Sequence, residues 1–243
     1  MIRGVVVLSA ALAVACGSGP SGATALPPIT VFAAASLEPA FDKIARQMNE
    51  AATFNYAGTQ TLTSQLTQGA QADVFASADT AHMKTVQDAG LIKDAPQVFA
   101  HNRLEIAVAK GNPKGIRGLS DLGRSGLVVV LADPSVPAGK YTQQALAKAG
   151  VTVRPASLEL QVTGVLTKVA LGEADAGIVY VSDVVTSGKA DGVTIPDGQN
   201  VIADYPIATL ATARNLGSAR RFVDFVLSQQ GQAILIGAGF STV

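Results

Sequence analysis

Hydroxyl groups and small residues occur where several apolar strand patterns give way to helical patterns. Ser36 and Thr59 follow the first two strands, and Ala138 lies at the start of a helix, after a loop that two prolines hold rigid. Val162 opens a further helix, and Tyr180 ends a strand. Because ligands of α/β proteins bind beyond the carboxyl ends of strands, these five positions could bring hydroxyl and backbone N–H donors to one ligand.

Helix N-termini and neutral donors are suited to a fully deprotonated anion. Each helix N-terminus carries about half a positive charge, so four of them could offset a dianion without a buried arginine or lysine. A site made only of donors should also reject hydrogen phosphate, whose O–H needs an acceptor. Taken alone, the junctions at Ser36 and Thr59 also fit ordinary helix caps, whereas the rigid entry before Ala138 is harder to explain as a simple turn; Tyr180 also fits an aromatic residue of the core.

The elements that must position these residues follow an α/β pattern. From Pro27 onward, short apolar runs alternate with helical spacing, which predicts an α/β fold with a largely parallel sheet. Ser182 to Thr186 is expected to turn off the strand that ends at Tyr180, and one helix containing Phe222 and Phe225 is expected last. The predicted strands are Ile29–Ala33, Phe54–Tyr56, Asp73–Ala76, Leu104–Ala109, Leu127–Leu131, Leu158–Gln161, Gly177–Val181 and Tyr205–Ala211.

The order of these elements predicts two lobes. Two similar α/β sets are followed by a terminal strand and helices, so the first lobe should be discontinuous in sequence. We place it at residues 27–106 and 207–243, and the second lobe at residues 107–206. The strands Leu104–Ala109 and Tyr205–Ala211 are then expected to connect the lobes.

The N-terminal segment predicts export. One positive charge at Arg3 precedes an apolar run that ends at Ala15, which is typical of a signal peptide over residues 1–15. Cys16 follows in a context that resembles a bacterial lipobox, so we expect it to be lipidated and residues 16–26 to form a flexible tether. An ordinary signal peptide beside a spare cysteine is the alternative. The protein is therefore expected in the periplasm or lipid-anchored at the cell membrane.

Composition excludes several functional classes. The 243 residues carry 18 basic and 18 acidic side chains, a balance that argues against binding to nucleic acid. One cysteine excludes an intramolecular disulfide framework, and two histidines leave little for zinc chemistry. We therefore expect no cofactor and no directly coordinated metal.

An enzyme is the competing class of function. Ser36 could act as a nucleophile with His82 or His101 as the base, but no Gly-x-Ser-x-Gly elbow surrounds it. The sequence also lacks a P-loop and a Gly-x-Gly-x-x-Gly motif. A signalling or adhesion module is a third reading, for which the few aromatic residues offer little support. We expect a binding protein without catalytic activity.

Four segments resemble the signature segments of periplasmic molybdate-binding proteins of ABC transporters. The resemblance extends over about residues 28–243, in the family's order, and implies the two-lobed periplasmic-binding-protein fold (type II) with a ligand cleft between the lobes. It also implies a monomer that captures molybdate or tungstate for a membrane permease and its ATPase. The four segments are Val31–Leu37, Gly69–Asp79, Asp133–Tyr141 and Gly172–Asp183.

The resemblance assigns the oxyanion contacts to the same five positions. Ser36 would donate through its hydroxyl and backbone N–H, and Thr59 would donate where the family usually has serine. Ala138 and Val162 would donate backbone N–H groups, and Tyr180 its phenolic O–H. Sulfate is the alternative ligand, because it is also fully deprotonated and only cavity size separates the two. The acidic residues of these motifs are expected to serve turns and caps: Asp73, Asp79, Asp133, Asp175 and Asp183.

Overall fold

The computed structural model describes residues 27–49 and 51–243; the predicted signal peptide, tether and Cys16 lie outside them. The described part contains nine strands and eight α-helices. Their bounds are β1 (Ile29–Ala34), α1 (Glu38–Met48), β2 (Ala52–Ala57), α2 (Thr59–Thr67), β3 (Val74–Ala76), α3 (Thr80–Asp88), β4 (Gln97–Val108), β5 (Val129–Ala132), α4 (Pro137–Ala149), β6 (Ser157–Glu159), α5 (Val162–Ala170), β7 (Ala176–Tyr180), α6 (Val181–Ser187), β8 (Asp191–Thr194), β9 (Ile202–Thr209), α7 (Leu216–Leu227) and α8 (Gln229–Gly237).

The strands form a mixed sheet in the order β2-β1-β3-β9-β4-β7-β5-β6, with β8 paired to β4. β1 runs parallel to β2 and β3, and β5 runs parallel to β6 and β7. The pairs that β4 and β9 make are all antiparallel. The expectation of a largely parallel sheet is therefore correct for β1 to β3 and for β5 to β7. It is wrong for β4, β8 and β9, whose pairs are antiparallel.

Strand β4 joins the two groups. Its residues Gln97–Arg103 pair with β9, whereas Leu104–Val108 pair with β7 and β8. We call the part built on β1, β2, β3 and β9 the first lobe and the part built on β5 to β8 the second lobe; the boundaries given above stay predictions. The sequence predicts only the second half of β4, because polar residues interrupt the apolar run. Asn102 lies in the first half of β4, which was not predicted. It is nevertheless buried, and its Nδ2 donates to Ser182 Oγ at 2.8 Å.

Two helix predictions are wrong. The expected turn at Ser182 to Thr186 is helix α6, which begins where Asp183 Oδ2 accepts the backbone N–H of Tyr180 at 2.9 Å. Its β-branched residues have low helix propensity, which hid it in the sequence. The last amphipathic helix, expected to hold Phe222, Phe225 and also Gln229, ends at Leu227; Gln229 begins the separate helix α8, which Ser228 caps by accepting the N–H of Gly231 at 3.2 Å.

The cores of the two lobes differ in composition. Aromatic rings fill the first lobe, where Phe41 meets Phe222 edge to face with centroids 5.4 Å apart. Apart from Tyr141 and Tyr180, the second lobe is packed mainly with aliphatic side chains, and α5 lies close against β7 because Gly177 has no side chain. A Cβ there would lie 2.3 Å from Val165 Cγ1, so this position requires glycine.

Among the described residues, no helix combines the length and apolar character needed to cross a membrane.

Candidate functional site

A small cavity lies where the first lobe meets the second, and its wall contains all five residues singled out from the sequence. Ser36 and Thr59 come from the first lobe, and Ala138, Val162 and Tyr180 come from the second. The rest of its wall is alanine, glycine, valine and proline, so the described residues that line it are all neutral. The cavity is small, with a free volume of about 10 Å³, so any ligand that it holds must be small.

Four helical segments begin at this cavity without a side-chain cap. They are the short 3-10 helix Ala35–Leu37 and the helices α2, α4 and α5. By contrast, Asp79 caps α3 and Ser228 caps α8, neither of which contributes to the cavity wall. The first N–H groups of a helix have no partner within the helix, so those at the cavity are available to an anion.

The two hydroxyl groups of the first lobe do not cap their helices. Thr59 Oγ1 accepts the backbone N–H of Ala78 at 3.2 Å, which leaves its own hydrogen free for donation into the cavity. Ser36 Oγ lies 3.0 Å from the hydroxyl of Tyr205, 169 residues further along the chain. The side chains of Ser36 and Thr59 are buried, so both groups act away from bulk water. The reading of these residues as ordinary helix caps is therefore wrong.

The Tyr180 hydroxyl is buried and has no hydrogen-bond partner among the described residues. Burial, and next the neighbouring Tyr205, raise the pKa of Tyr180 well above its usual value, so the phenol keeps its proton. A buried donor without an acceptor costs about 1–3 kcal/mol, which a ligand oxygen would recover. Tyr180 is both part of the core and part of the cavity wall.

The lobes touch at one edge of the cavity. Gln60 Nε2, on α2, donates to the backbone carbonyl oxygen of Leu160 in the second lobe at 2.9 Å. Gly58 permits this approach, because a Cβ there would lie 2.4 Å from the same oxygen. The structure is therefore closed over the cavity. Sequence reasoning missed Gln60, Leu160 and Tyr205, because nothing in the local pattern connects residues this far apart.

The histidines and aspartates of the sequence motifs have other partners. His82 Nδ1 pairs with Asp79 and His101 Nδ1 with Asp204, and neither histidine lines the cavity. The carboxylates expected at turns and caps each accept backbone N–H groups; Asp73 alone accepts those of three residues. Within residues 27–49 and 51–243, no cluster of histidine, cysteine, aspartate or glutamate could hold a metal ion.

Comparisons with known proteins agree with this architecture. The chain is 45% identical over 240 residues to the molybdate-binding protein ModA of Mycobacterium tuberculosis, which covers 94% of this chain and 92% of that protein. It superposes with a TM-score of 0.68 and 29% identity on the substrate-binding domain of a putative molybdenum ABC transporter from Clostridium difficile, over 89% of this chain and 99% of that one.

The fold extends to a binding protein for another tetrahedral oxyanion. The sulfate-binding protein SubI of Mycobacterium tuberculosis superposes with a TM-score of 0.77 at 23% identity, over 89% of this chain and 87% of that one. These likenesses show the two-lobed periplasmic-binding-protein fold (type II). The family profile described as bacterial extracellular solute-binding protein matches residues 29–241. The chain therefore belongs to the bacterial extracellular solute-binding proteins.

Proposed function

We propose that this protein is the substrate-binding component of an ABC importer and that it captures molybdate and tungstate. The observation that carries the proposal is the closed cavity whose wall holds neutral donors from both lobes. The relative that is 45% identical, a molybdate-binding protein, supports the choice of ligand. A dianion without protons can accept from every one of these donors at once.

In this proposal the ligand bridges the lobes. Ser36 and Thr59 donate from the first lobe through their hydroxyl groups. Ala138 and Val162 donate backbone N–H groups from the second lobe, and Tyr180 donates its phenolic O–H. Because the donors belong to two bodies, binding stabilises the closed arrangement over the open one.

Sulfate is the weaker candidate ligand. It is also fully deprotonated at neutral pH, so the donors alone do not distinguish it from molybdate. The metal oxyanions have longer bonds, so discrimination must come from the size of the closed cavity. The likeness to a sulfate-binding protein at 23% identity concerns the fold.

The remaining parts of the proposal concern partners and location. The loaded protein would deliver its ligand to a membrane permease driven by an ATPase, and would act as a monomer without catalysis and without a cofactor. Lipid on Cys16 would hold it at the membrane after removal of residues 1–15. Intact-mass measurement of the membrane-extracted protein tests this, because an unlipidated N-terminus would contradict the anchor.

Thermal unfolding with different oxyanions tests the ligand assignment. At a free ligand concentration near a thousand times Kd, linkage gives about 4 kcal/mol of stabilisation. For a protein of this size, that corresponds to a rise in Tm of about 8–16 °C. We expect the rise with molybdate and tungstate but not with sulfate or phosphate. A rise with sulfate alone would overturn the ligand, and no rise with any oxyanion would overturn the proposed function.

A further inference from the structure

Tyr205 lies directly behind the cavity wall and touches the site through Ser36. Its hydroxyl is 3.0 Å from Ser36 Oγ, and its side chain is completely buried on β9. Its ring packs against Tyr180, Phe99 and Phe240 with centroid distances of 5.8, 6.4 and 5.3 Å. Tyr205 does not line the cavity, so its hydroxyl can act on a ligand only through a neighbour.

The direction of the proton in the bond between Tyr205 and Ser36 follows from the surrounding groups. Burial raises the pKa of Tyr205 far above its usual value, so this phenol also keeps its proton. The nearby Asn102 is held by other contacts, because its Oδ1 accepts the backbone N–H of Arg103 at 2.9 Å and its Nδ2 donates to Ser182 Oγ at 2.8 Å. Either hydroxyl could donate at this distance, but a phenol is a stronger hydrogen-bond donor than an alcohol, which favours Tyr205 as the donor and Ser36 Oγ as the acceptor.

This direction fixes the role of Ser36. With its oxygen accepting from Tyr205, Ser36 keeps its own hydrogen free for donation into the cavity. Thr59 is arranged in the same way, because its oxygen accepts the backbone N–H of Ala78. Both hydroxyl groups of the first lobe can therefore serve a ligand as donors, and each already has one acceptor position occupied.

We propose that Tyr205 is a positioning residue that holds the Ser36 hydroxyl as a donor and thereby makes the cavity reject oxyanions that carry a proton. The proposal rests on the proposed function, since it concerns the selectivity of the same cavity. A protonated oxyanion such as hydrogen phosphate must place its O–H against an acceptor, and Tyr205 occupies an acceptor position of Ser36 and competes with such a ligand for that oxygen.

Replacing Tyr205 with phenylalanine tests the selectivity. Sulfate and phosphate are tetrahedral ions of similar size, but only phosphate carries a proton near pH 7.5, so a change in cavity size affects both alike. Competition against molybdate should show that the ratio of Kd for phosphate to Kd for sulfate falls about five- to tenfold in Tyr205→Phe, the equivalent of one hydrogen bond. An unchanged ratio would overturn the proposal.

A double-mutant cycle on molybdate provides a second readout that does not depend on weak ligands. Tyr205→Phe should weaken molybdate binding about three- to tenfold in the otherwise unchanged protein, and should have no further effect in a Ser36→Ala background. Equal losses in both backgrounds would show that Tyr205 acts only through the general structure of the cavity, and would overturn the proposal while leaving the proposed function intact.

Tyr56→Phe is the matched control. The Tyr56 hydroxyl donates to Asp42 Oδ1 at 2.8 Å and lies outside the cavity wall, so its loss should leave molybdate affinity and the phosphate-to-sulfate ratio unchanged. If the unchanged protein binds none of the oxyanions, the proposed function itself fails, together with the role of Tyr205. If it binds molybdate but the cycle is additive, only the role of Tyr205 fails.

Discussion

At the scale of single residues, the cavity is distinguished by polar groups whose partners are incomplete. Ser36 and Thr59 each have a partner on the acceptor side, whereas the Tyr180 hydroxyl has no partner among the described residues. Unsatisfied buried groups are rare in proteins, and the Tyr180 hydroxyl is one that lies in the wall of the cavity. Such a wall loses stability when empty and regains it when an acceptor enters.

Removal of the Tyr180 hydroxyl should therefore separate binding from stability. We expect Tyr180→Phe to weaken molybdate binding by about 1.5–3 kcal/mol, since a hydrogen bond to an anion is lost. The ligand-free protein should keep its free energy of unfolding or gain up to about 1 kcal/mol, because a buried unpaired donor disappears. Calorimetric titration and urea denaturation measure the two quantities. A clear loss of stability in the ligand-free protein would show that the hydroxyl has a partner.

Asp183 should make stability depend on pH. Burial raises the pKa of this carboxyl from 3.8 to about 7, while the backbone N–H of Tyr180 lowers it. The folded protein thus holds a proton that the unfolded chain releases above pH 4, so this carboxyl costs increasing stability as the pH rises toward 7. The advantage of Asp183→Asn over the unchanged protein should grow by up to about 3 kcal/mol between pH 5 and pH 8.

Urea denaturation across this pH range measures the effect. Asp191→Asn serves as the control, because Lys110 and then the Gly111 backbone N–H lower the pKa of Asp191, which therefore titrates below the window. A stability difference between Asp183→Asn and the unchanged protein that is constant from pH 5 to pH 8 would contradict a raised pKa at this site.

At the scale of elements, the site depends on how closely the helix starts approach the strands. Gly139, in the first turn of α4, has no space for a side chain, because a Cβ would lie 2.0 Å from the backbone oxygen of Asp133. Ala138 precedes it in the cavity wall. The backbone N–H of Ala138 is thus placed by a tight turn, so Gly139 supports the site without lining the cavity.

Gly139→Ala should displace the start of α4. We expect a loss of about 1–3 kcal/mol in the free energy of unfolding from the steric clash, together with weaker molybdate binding. Gly217→Ala is the matched control, since Gly217 lies in the first turn of α7 with open space around it. That variant should be as stable as the unchanged protein or up to about 1 kcal/mol more stable. Equal stability of the two variants would contradict the tight approach.

The sequence predicts the elements where pattern and burial agree. The apolar runs at β1 and β5 and the helical spacing of α1 and α5 are sufficient to predict these four elements. Glycines also mark several helix ends. The first half of β4 could not be predicted, because its buried Asn102 is satisfied by a serine 80 residues away. The five cavity residues could be identified from strand-to-helix junctions and family motifs. Tyr205 and Gln60 could not, because their roles depend on contacts across 169 and 100 residues.

At the scale of the whole molecule, two lobes meet over the cavity and few contacts cross its edge. The 3-10 helix Ala35–Leu37 packs against α5, and Gln60 donates to the carbonyl of Leu160. The Gln60 contact is partly exposed, so it can form and break without disturbing either core. It therefore belongs to the energy of closing and not to the energy of folding.

Gln60→Ala should shorten the lifetime of the complex. Loss of one hydrogen bond between the lobes should raise the dissociation rate of molybdate about fivefold, with little change in the association rate. Stopped-flow measurement of both rates tests this expectation. Gln68→Ala is the control, because Gln68 bonds only to Ser64 near the end of the same helix and should leave both rates unchanged. A change confined to the association rate would contradict a role in holding the lobes closed.

The enclosure of the cavity determines what a transporter could sense. Ser36, Thr59, Ala138, Val162 and Tyr180 are all nearly inaccessible to solvent, so an ion held among them would be hidden from any other protein. Under the proposed function, the importer would therefore read only the outer shape of the closed lobes. Under that function, selectivity would be exercised only when the ion binds. The importer would transport every ion that allows the lobes to close fully, without distinguishing one from another.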